Sequence, residues 1–333
     1  MKYIFLLLLL VGPTACASPY PKSDHYDGSR FFMPAGPKLK SFWTFLKWRF
    51  TSESVDWPRS VTNQSYKLPS RPEKSGVLTF INHSTFLVQL PGITILTDPI
   101  FSERAGPFEK FGPIKRTRNP GLAFKDLPKI DVVLISHNHY DHLDLETLIK
   151  LNKIHHPVFL VALGDKLLLE AEGIKNIQEL DWWNERVINN NKITFTPAQH
   201  WSARGLFDKN KSLWGGFFIT SPSHKIYFAG DTGYTKYFKL TQDKLGNPDI
   251  SLLPIGAYAP RWFMKEAHLN PEDALRAHKD LGSKLSFGMH FGTFKLSDEG
   301  YDSPLKDLED ARKKQNISVN EFRVLDFGES FNF

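Results

Sequence analysis

The sequence predicts a layered α/β fold with sheets inside and helices outside. From Gly76 onward the chain is a succession of short β-rich runs that opens as an antiparallel meander, and helical stretches separate the later runs. Composition agrees. With 41% hydrophobic and 23% charged residues, the 333-residue chain can bury a sizeable core, which excludes a wholly disordered or collagen-like protein. One large domain or two small ones fit the length.

The meander comprises Val77 to Ile81, Thr85 to Leu90 and, after the Pro91-Gly92 turn, Ile93 to Thr97. Further strands are expected over Ile130 to Ile135, Val158 to Val161, Lys192 to Thr196, Gly216 to Thr220, Lys225 to Phe228, Ile250 to Leu253, Lys284 to Met289 and Phe322 to Leu325. Helices are expected over Asp144 to Lys150, Asp165 to Ala171, Tyr234 to Lys244, Asn270 to Leu281 and Leu305 to Lys314. The helix after Asn270 has the best-marked start, with Asn270 as N-cap, Pro271 in the first turn and Asp273 three residues after the cap. No internal repeat or low-complexity tract interrupts the pattern.

Two segments precede the main domain. Lys2 and the apolar run Ile4 to Val11 lead to Gly12-Pro13 and the small residues Thr14 to Ser18, which reads as a secretory signal peptide over residues 1–17. Eight apolar residues are too few to span a bilayer as a helix. Ala15-Cys16-Ala17 offers an ordinary cleavage site, whereas Pro13-Thr14-Ala15-Cys16 is similar to a bacterial lipobox; the lone cysteine, Cys16, favours the second. An exported protein is expected, periplasmic or anchored to a bacterial membrane as a lipoprotein. The same single cysteine excludes an intramolecular disulfide and every thiolate metal site.

Residues 18–75 read as an N-terminal extension rich in Pro, Ser and basic positions. Within it, residues 31–50 hold no acidic side chain, and Phe31, Phe32, Phe42, Trp43, Phe45, Trp48 and Phe50 interleave with Lys38, Lys40, Lys47 and Arg49. That mixture suits a membrane surface, where apolar tails meet anionic headgroups. The competing expectation is that Phe42, Phe45, Leu46 and Phe50, at helical spacing, dock on the main domain. Nucleic acid is not an expected partner, because 42 basic against 36 acidic side chains leave a net charge of only +6.

The strongest local signal is Ser136-His137-Asn138-His139-Tyr140-Asp141-His142, directly after an apolar strand. His137 and His139, on alternate residues of extended chain, can grip one metal ion, while Asp141 and His142 can reach a second. Packing gives no reason to set three His and one Asp within six residues. Three further candidates stand at strand ends: His200, Asp231 and His290. His200 would complete the first site and His290 the second. Asp231, in Gly230-Asp231-Thr232-Gly233, has small neighbours that leave a carboxylate open from both sides, so it would bridge the two. Imidazole and carboxylate without thiolate suit two Zn²⁺ ions, with Fe or Mn as alternatives. Ions about 3.5 to 4 Å apart can hold a bridging hydroxide and stabilise an oxyanion. His25, His83, His155, His156, His224 and His278 are expected to have only structural, hydrogen-bonding roles, with a place for His83 behind the metal ligands as the lesser alternative.

These motifs resemble the metallo-β-lactamase superfamily, which carries H-x-H-x-D-H followed by a His, an Asp and a His in that order. Longer blocks resemble its N-acyl-phosphatidylethanolamine-hydrolysing phospholipase D branch: Thr97-Asp98-Pro99-Ile100-Phe101-Ser102, Glu179-Leu180-Asp181-Trp182-Trp183, Gln199-His200-Trp201, Pro254-Ile255-Gly256-Ala257-Tyr258, Pro260-Arg261-Trp262-Phe263-Met264-Lys265 and His290-Phe291-Gly292-Thr293-Phe294. Phe291 stands where the branch usually has Trp. The resemblance implies a four-layer αβ/βα sandwich over residues 76–333 and metal ligands at His137, His139, Asp141, His142, His200, Asp231 and His290. It also implies a substrate contact for His268, with Asp141, Asp231 and His268 at the chemical step.

The implied reaction is hydrolysis of an N-acyl-phosphatidylethanolamine-like phospholipid to phosphatidic acid and an N-acylethanolamine, at a membrane surface. The rivals are another ester, lactone, thioester or cyclic phosphodiester hydrolysed on the same scaffold, and a surface protein that only binds lipid.

Overall fold

The computed structural model describes residues 20–34, 36, 40–107 and 112–333. The expected signal peptide with Cys16, and Lys38 of the aromatic-basic segment, lie outside the described residues. Among those residues no helix is long and apolar enough to cross a membrane.

In chain order the strands are β1 Val77–Asn82, β2 Thr85–Leu90, β3 Ile93–Thr97, β4 Arg104–Ala105, β5 Ile114–Lys115, β6 Val132–Leu134, β7 Val158–Ala162, β8 Ile177–Leu180, β9 Glu185–Ile188, β10 Asn191–Pro197, β11 Gly215–Thr220, β12 Lys225–Phe228, β13 Ile250–Pro254, β14 Leu285–Met289, β15 Phe322–Arg323 and β16 Ser330–Asn332. The helices are α1 Phe42–Thr51, α2 Leu145–His155, α3 Lys166–Ala171, α4 Tyr237–Leu245, α5 Arg261–Met264, α6 Pro271–Leu281 and α7 Ser303–Gln315. The expected elements are present with ends shifted by a few residues. The short strands β4, β5, β8, β9 and β16 and the single-turn helix α5 were not foreseen.

Two seven-stranded sheets face each other, ordered β16-β1-β2-β3-β6-β7-β8 and β15-β14-β13-β12-β11-β10-β9. Each joins an antiparallel half to a parallel half: the β1-β2-β3 meander continues into parallel β6, β7 and β8, and antiparallel β9 to β12 into parallel β13, β14 and β15. Side-chain alternation explains the layers. Val132, Leu134, Leu160 and Ala162 enter the core shared by the sheets, whereas Val133, Phe159 and Val161 turn outward to meet Leu148, Leu151 and Leu169 of α2 and α3. On the far side, Ala274, Leu275, Ala277 and Leu281 of α6 close the second sheet. The result is the αβ/βα sandwich.

This stacking puts the C-terminal ends of β3, β6, β10, β12 and β14 along one edge, where α/β sheets place their sites. Backbone hydrogen bonds tie the sheets there. The Gly215 N–H donates to the Ser136 carbonyl at 3.0 Å, and the His290 N–H to the His83 carbonyl at 2.8 Å.

The N-terminal extension divides. Phe31 is buried with Tyr26 in the main core, so it belongs to packing and not to an interface. Its N–H donates to the Asn210 carbonyl at 2.8 Å. Helix α1 does form, capped by Ser41, but it docks through Trp48, whose ring stacks on Phe263 at 4.8 Å and whose Nε1 donates to Asp298 Oδ2 at 3.0 Å. Phe45 and Phe50, expected under the alternative reading to dock as core, are exposed, as is Trp43.

Candidate metal centre

Strand β6 ends in the ligand loop, and a second layer of hydrogen bonds sets which nitrogen of each histidine faces inward. The Ser136 hydroxyl donates to Asp98 Oδ2 at 2.5 Å, which leaves its oxygen to accept from His137 Nδ1 at 2.9 Å. His142 Nδ1 donates to the same Asp98 oxygen at 2.7 Å, and His200 Nδ1 to the Ala267 carbonyl at 3.0 Å. All three rings therefore carry their proton on Nδ1 and present a bare Nε2 lone pair to the centre.

Those lone pairs converge. His139 Nδ1 lies 2.8 Å from His137 Nε2 and 3.2 Å from His200 Nε2. On the other side, His142 Nε2 and His290 Nε2 are each 3.4 Å from Asp141 Oδ2. Asp231 Oδ2 stands between the groups, 3.2 Å from His290 Nε2, 3.3 Å from His142 Nε2 and 3.8 Å from His200 Nε2. Metal–ligand bonds of about 2.0 Å in a tetrahedral site separate ligand atoms by about 3.3 Å. The second cluster has that spacing, and the first is slightly tighter at 2.8 to 3.2 Å. His142 Nε2, His290 Nε2 and Asp231 Oδ1 are buried without a hydrogen-bond partner, a costly arrangement unless a cation meets them. The donor set thus fits one divalent ion in each cluster, with Asp231 common to both.

Charge tells the same story. Burial would raise the Asp141 and Asp231 carboxyls, but the facing imidazoles hold both well below the usual range. Burial pulls His290 down, yet Asp231 and Asp141 outweigh it and push it up to about 9. Two ionised carboxylates in a dry pocket demand positive charge nearby.

The structure brings together His137, His139, Asp141, His142, His200, Asp231 and His290, residues from four loops. His268 joins them with an unpartnered Nδ1 3.7 Å from Asp231 Oδ2, and Arg261 Nη1 holds its carbonyl at 2.9 Å. His83 corrects the sequence reading. Its Nε2 lies 3.0 Å from Asp141 Oδ2, so it orients that carboxylate; it arrives from the β1–β2 turn, and no local pattern marks it. Asp98 was also missed, although its place at the end of β3 parallels the other strand-end residues. Arg204 braces the loop from outside: Nη1 donates to the Asn138 and Leu143 carbonyls at 2.9 and 2.8 Å, and its guanidinium lies over the Tyr140 ring.

A family model described as the beta-lactamase superfamily domain matches residues 94–291, a span that contains all seven converging residues. The chain belongs to the beta-lactamase superfamily. It is 39% identical over 266 residues to the N-acyl-phosphatidylethanolamine-hydrolyzing phospholipase D 1 of Caenorhabditis elegans, covering 75% of this chain and 74% of that one. It is 40% identical over 238 residues to the mitochondrial N-acyl-phosphatidylethanolamine-hydrolyzing phospholipase D of Saccharomyces cerevisiae, which covers 69% of this chain but spans only 50% of the yeast protein. A metallo hydrolase of the archaeon Ignicoccus hospitalis shares the fold, with a TM-score of 0.59 and 23% identity over 78% of this chain and 98% of its own. This superfamily member is a metal-dependent hydrolase.

Proposed function

We propose that this beta-lactamase superfamily hydrolase cleaves the phosphodiester of N-acyl-phosphatidylethanolamine-like lipids, releasing phosphatidic acid and an N-acylethanolamine. The observation that carries it is Asp231 Oδ2 within 3.2 to 3.8 Å of His142, His200, His268 and His290, a shared carboxylate suited to a paired-ion centre. The substrate class follows the worm and yeast relatives. Zinc is the proposed ion because the donors are imidazole and carboxylate alone.

His137, His139 and His200 would hold one ion, Asp141, His142 and His290 the other, and Asp231 both. When bound, such a pair neutralises phosphoryl charge and acidifies water to a nucleophile. The chain's own part is positional. Asp98, Ser136 and the Ala267 carbonyl fix the imidazole tautomers, and the His83 Nε2–H steadies Asp141. Burial pushes His268 down to about 4, so at neutral pH it is an uncharged imidazole placed to hydrogen-bond the headgroup or the leaving oxygen.

Helix α1 supports lipid as the substrate. Trp43 and Phe50 are 76% and 85% exposed beside Lys47 and Arg49, the composition of an interfacial helix. Export and a lipid anchor at Cys16 would bring the enzyme to the same surface. The test is turnover by the purified, zinc-replete full chain on a panel of phospholipids, lactones and thioesters, with Asp231→Asn as control. The expected result is phosphatidic acid from the N-acylated phospholipid, abolished by chelator and by the substitution. Faster turnover of a lactone or thioester, with the diester untouched, contradicts the proposal; lipid binding without chelator-sensitive turnover points to a binding protein.

A further inference from the structure

The loop between β10 and β11 holds two apolar side chains in water at the edge of the metal centre. Leu206 is 91% exposed and Phe207 83%. Their exposure is built. The Asp208 carboxylate accepts from the Arg204 and Gly205 N–H groups at 3.0 and 2.8 Å, which closes the tight turn carrying the pair. Below it, the Asn210 N–H donates to the Ser202 carbonyl at 2.7 Å, and both residues are buried. The N-terminal arm adds a strap: Arg30 donates through Nη2 to the Phe207 carbonyl at 3.2 Å and through Nη1 to the Lys209 carbonyl. Arg204, at the base, is the residue that braces the ligand loop.

Charge and area decide what covers this tip. Arg30 and Lys209 lie against it, exposed Lys211 follows in the same loop, and the Asp208 carboxylate is occupied by its two backbone donors. Lys209 sits over Trp201, whose ring in turn packs at 4.3 Å on His139, so the loop that carries the tip reaches within one aromatic layer of His139 through Lys209. Two side chains are far less than the roughly 800 Å² per partner that a stable protein interface buries. A pair of apolar residues ringed by cations matches acyl chains beneath anionic headgroups.

We propose that Leu206 and Phe207 insert into an anionic phospholipid surface, with Arg30, Lys209 and Lys211 at headgroup level, which sets the metal centre against the bilayer. This rests on the reading of lipid as substrate and goes beyond it by naming the contact element, separate from α1.

The experiment compares the full chain with the Leu206→Ser/Phe207→Ser double variant by co-sedimentation with vesicles of phosphatidylcholine plus phosphatidylglycerol, and of phosphatidylcholine alone. The variant is expected to bind the anionic vesicles at least about tenfold more weakly, the loss of two buried apolar side chains. It should hydrolyse a short water-soluble diester and melt as the wild type does, and the conservative pair Leu206→Ile/Phe207→Leu should retain binding. Unchanged vesicle affinity in the serine variant overturns the proposal. So does unchanged lipid binding together with loss of a concentration-dependent self-association, which would assign the tip to a second copy. A melting temperature lowered along with binding in the serine variant, with binding lost in the conservative pair as well, also overturns it. Wild-type chain that binds vesicles but cleaves no phospholipid sinks the substrate reading alone.

Discussion

Oδ2 of Asp98 lies 2.7 Å from Nδ1 of His142, and this contact turns the opposite nitrogen of the ring onto Asp141 and Asp231. Asp98 accepts from Ser136 as well, through both backbone and hydroxyl. In Asp98→Asn one oxygen becomes an amide that must face these donors. Such outer contacts are worth about 10- to 100-fold in metal affinity or activity. A loss of that size is expected in competition with a chromogenic chelator; wild-type affinity would remove the role assigned to Asp98.

His83 makes a different prediction because its contacts, to Asp141 and His290, fall on one side of the centre only. Replacing it by Phe keeps a ring but removes the hydrogen bond to Asp141. The ion held by Asp141, His142 and His290 should bind about tenfold more weakly, while the ion at His137, His139 and His200 is retained. Stepwise metal titration reads the two separately. Equal weakening of both would show that His83 supports the pocket as a whole.

Gly230 positions Asp231. Its φ is +60°, and a Cβ there would stand 2.7 Å from both the Gly215 carbonyl oxygen and Ser136 Cβ. Gly230→Ala therefore combines left-handed strain with overlap against the start of β11 and the ligand loop. We expect a destabilisation of roughly 2 kcal/mol or more in urea unfolding, and reduced metal content. A variant as stable as wild type would mean that the β12 end shifts freely.

The N-terminal arm should be held by charge. His25 Nδ1 is 2.6 Å from Asp24 Oδ1 and Nε2 is 2.7 Å from Asp181 Oδ1, and only an imidazolium can donate at both. Burial lowers its pKa, but the two carboxylates outweigh this and raise it above 6.5. A raised folded-state value means that the stabilisation is complete below about pH 6.5 and fades as pH climbs through the folded pKa. Its size is on the order of 1 kcal/mol, since Asp24 is exposed. Limited proteolysis should cut the arm faster on the alkaline side, and His25→Gln should flatten that dependence. A wild-type rate independent of pH contradicts the clamp.

The legible parts of this molecule were those written locally. The cluster from His137 to His142 could be read because an apolar strand delivers it, and Asn270 because an N-cap and the Asp273 N–H it accepts from, at 3.0 Å, are three residues apart. His83 meets Asp141 across 58 positions, a contact that only the closed sheet creates. Strands β8 and β9 are the end strands of the two sheets, β8 half-buried and β9 with Glu185, Arg186 and Val187 facing water, so alternation is lost. Strand β16 pairs with β1 from the far end of the chain, and Phe31 is drawn from a segment that looked interfacial into the core because the Asn210 backbone anchors it.

The central claim is that Asp231 joins two metal-binding clusters, and elemental analysis tests it most directly. Purified wild-type chain, reloaded with zinc and freed of excess, should carry two ions per chain, and Asp231→Asn should carry fewer and lose chelator-sensitive hydrolysis. Metal-free chain that still turns over, or Asp231→Asn with full metal content and activity, would contradict the account.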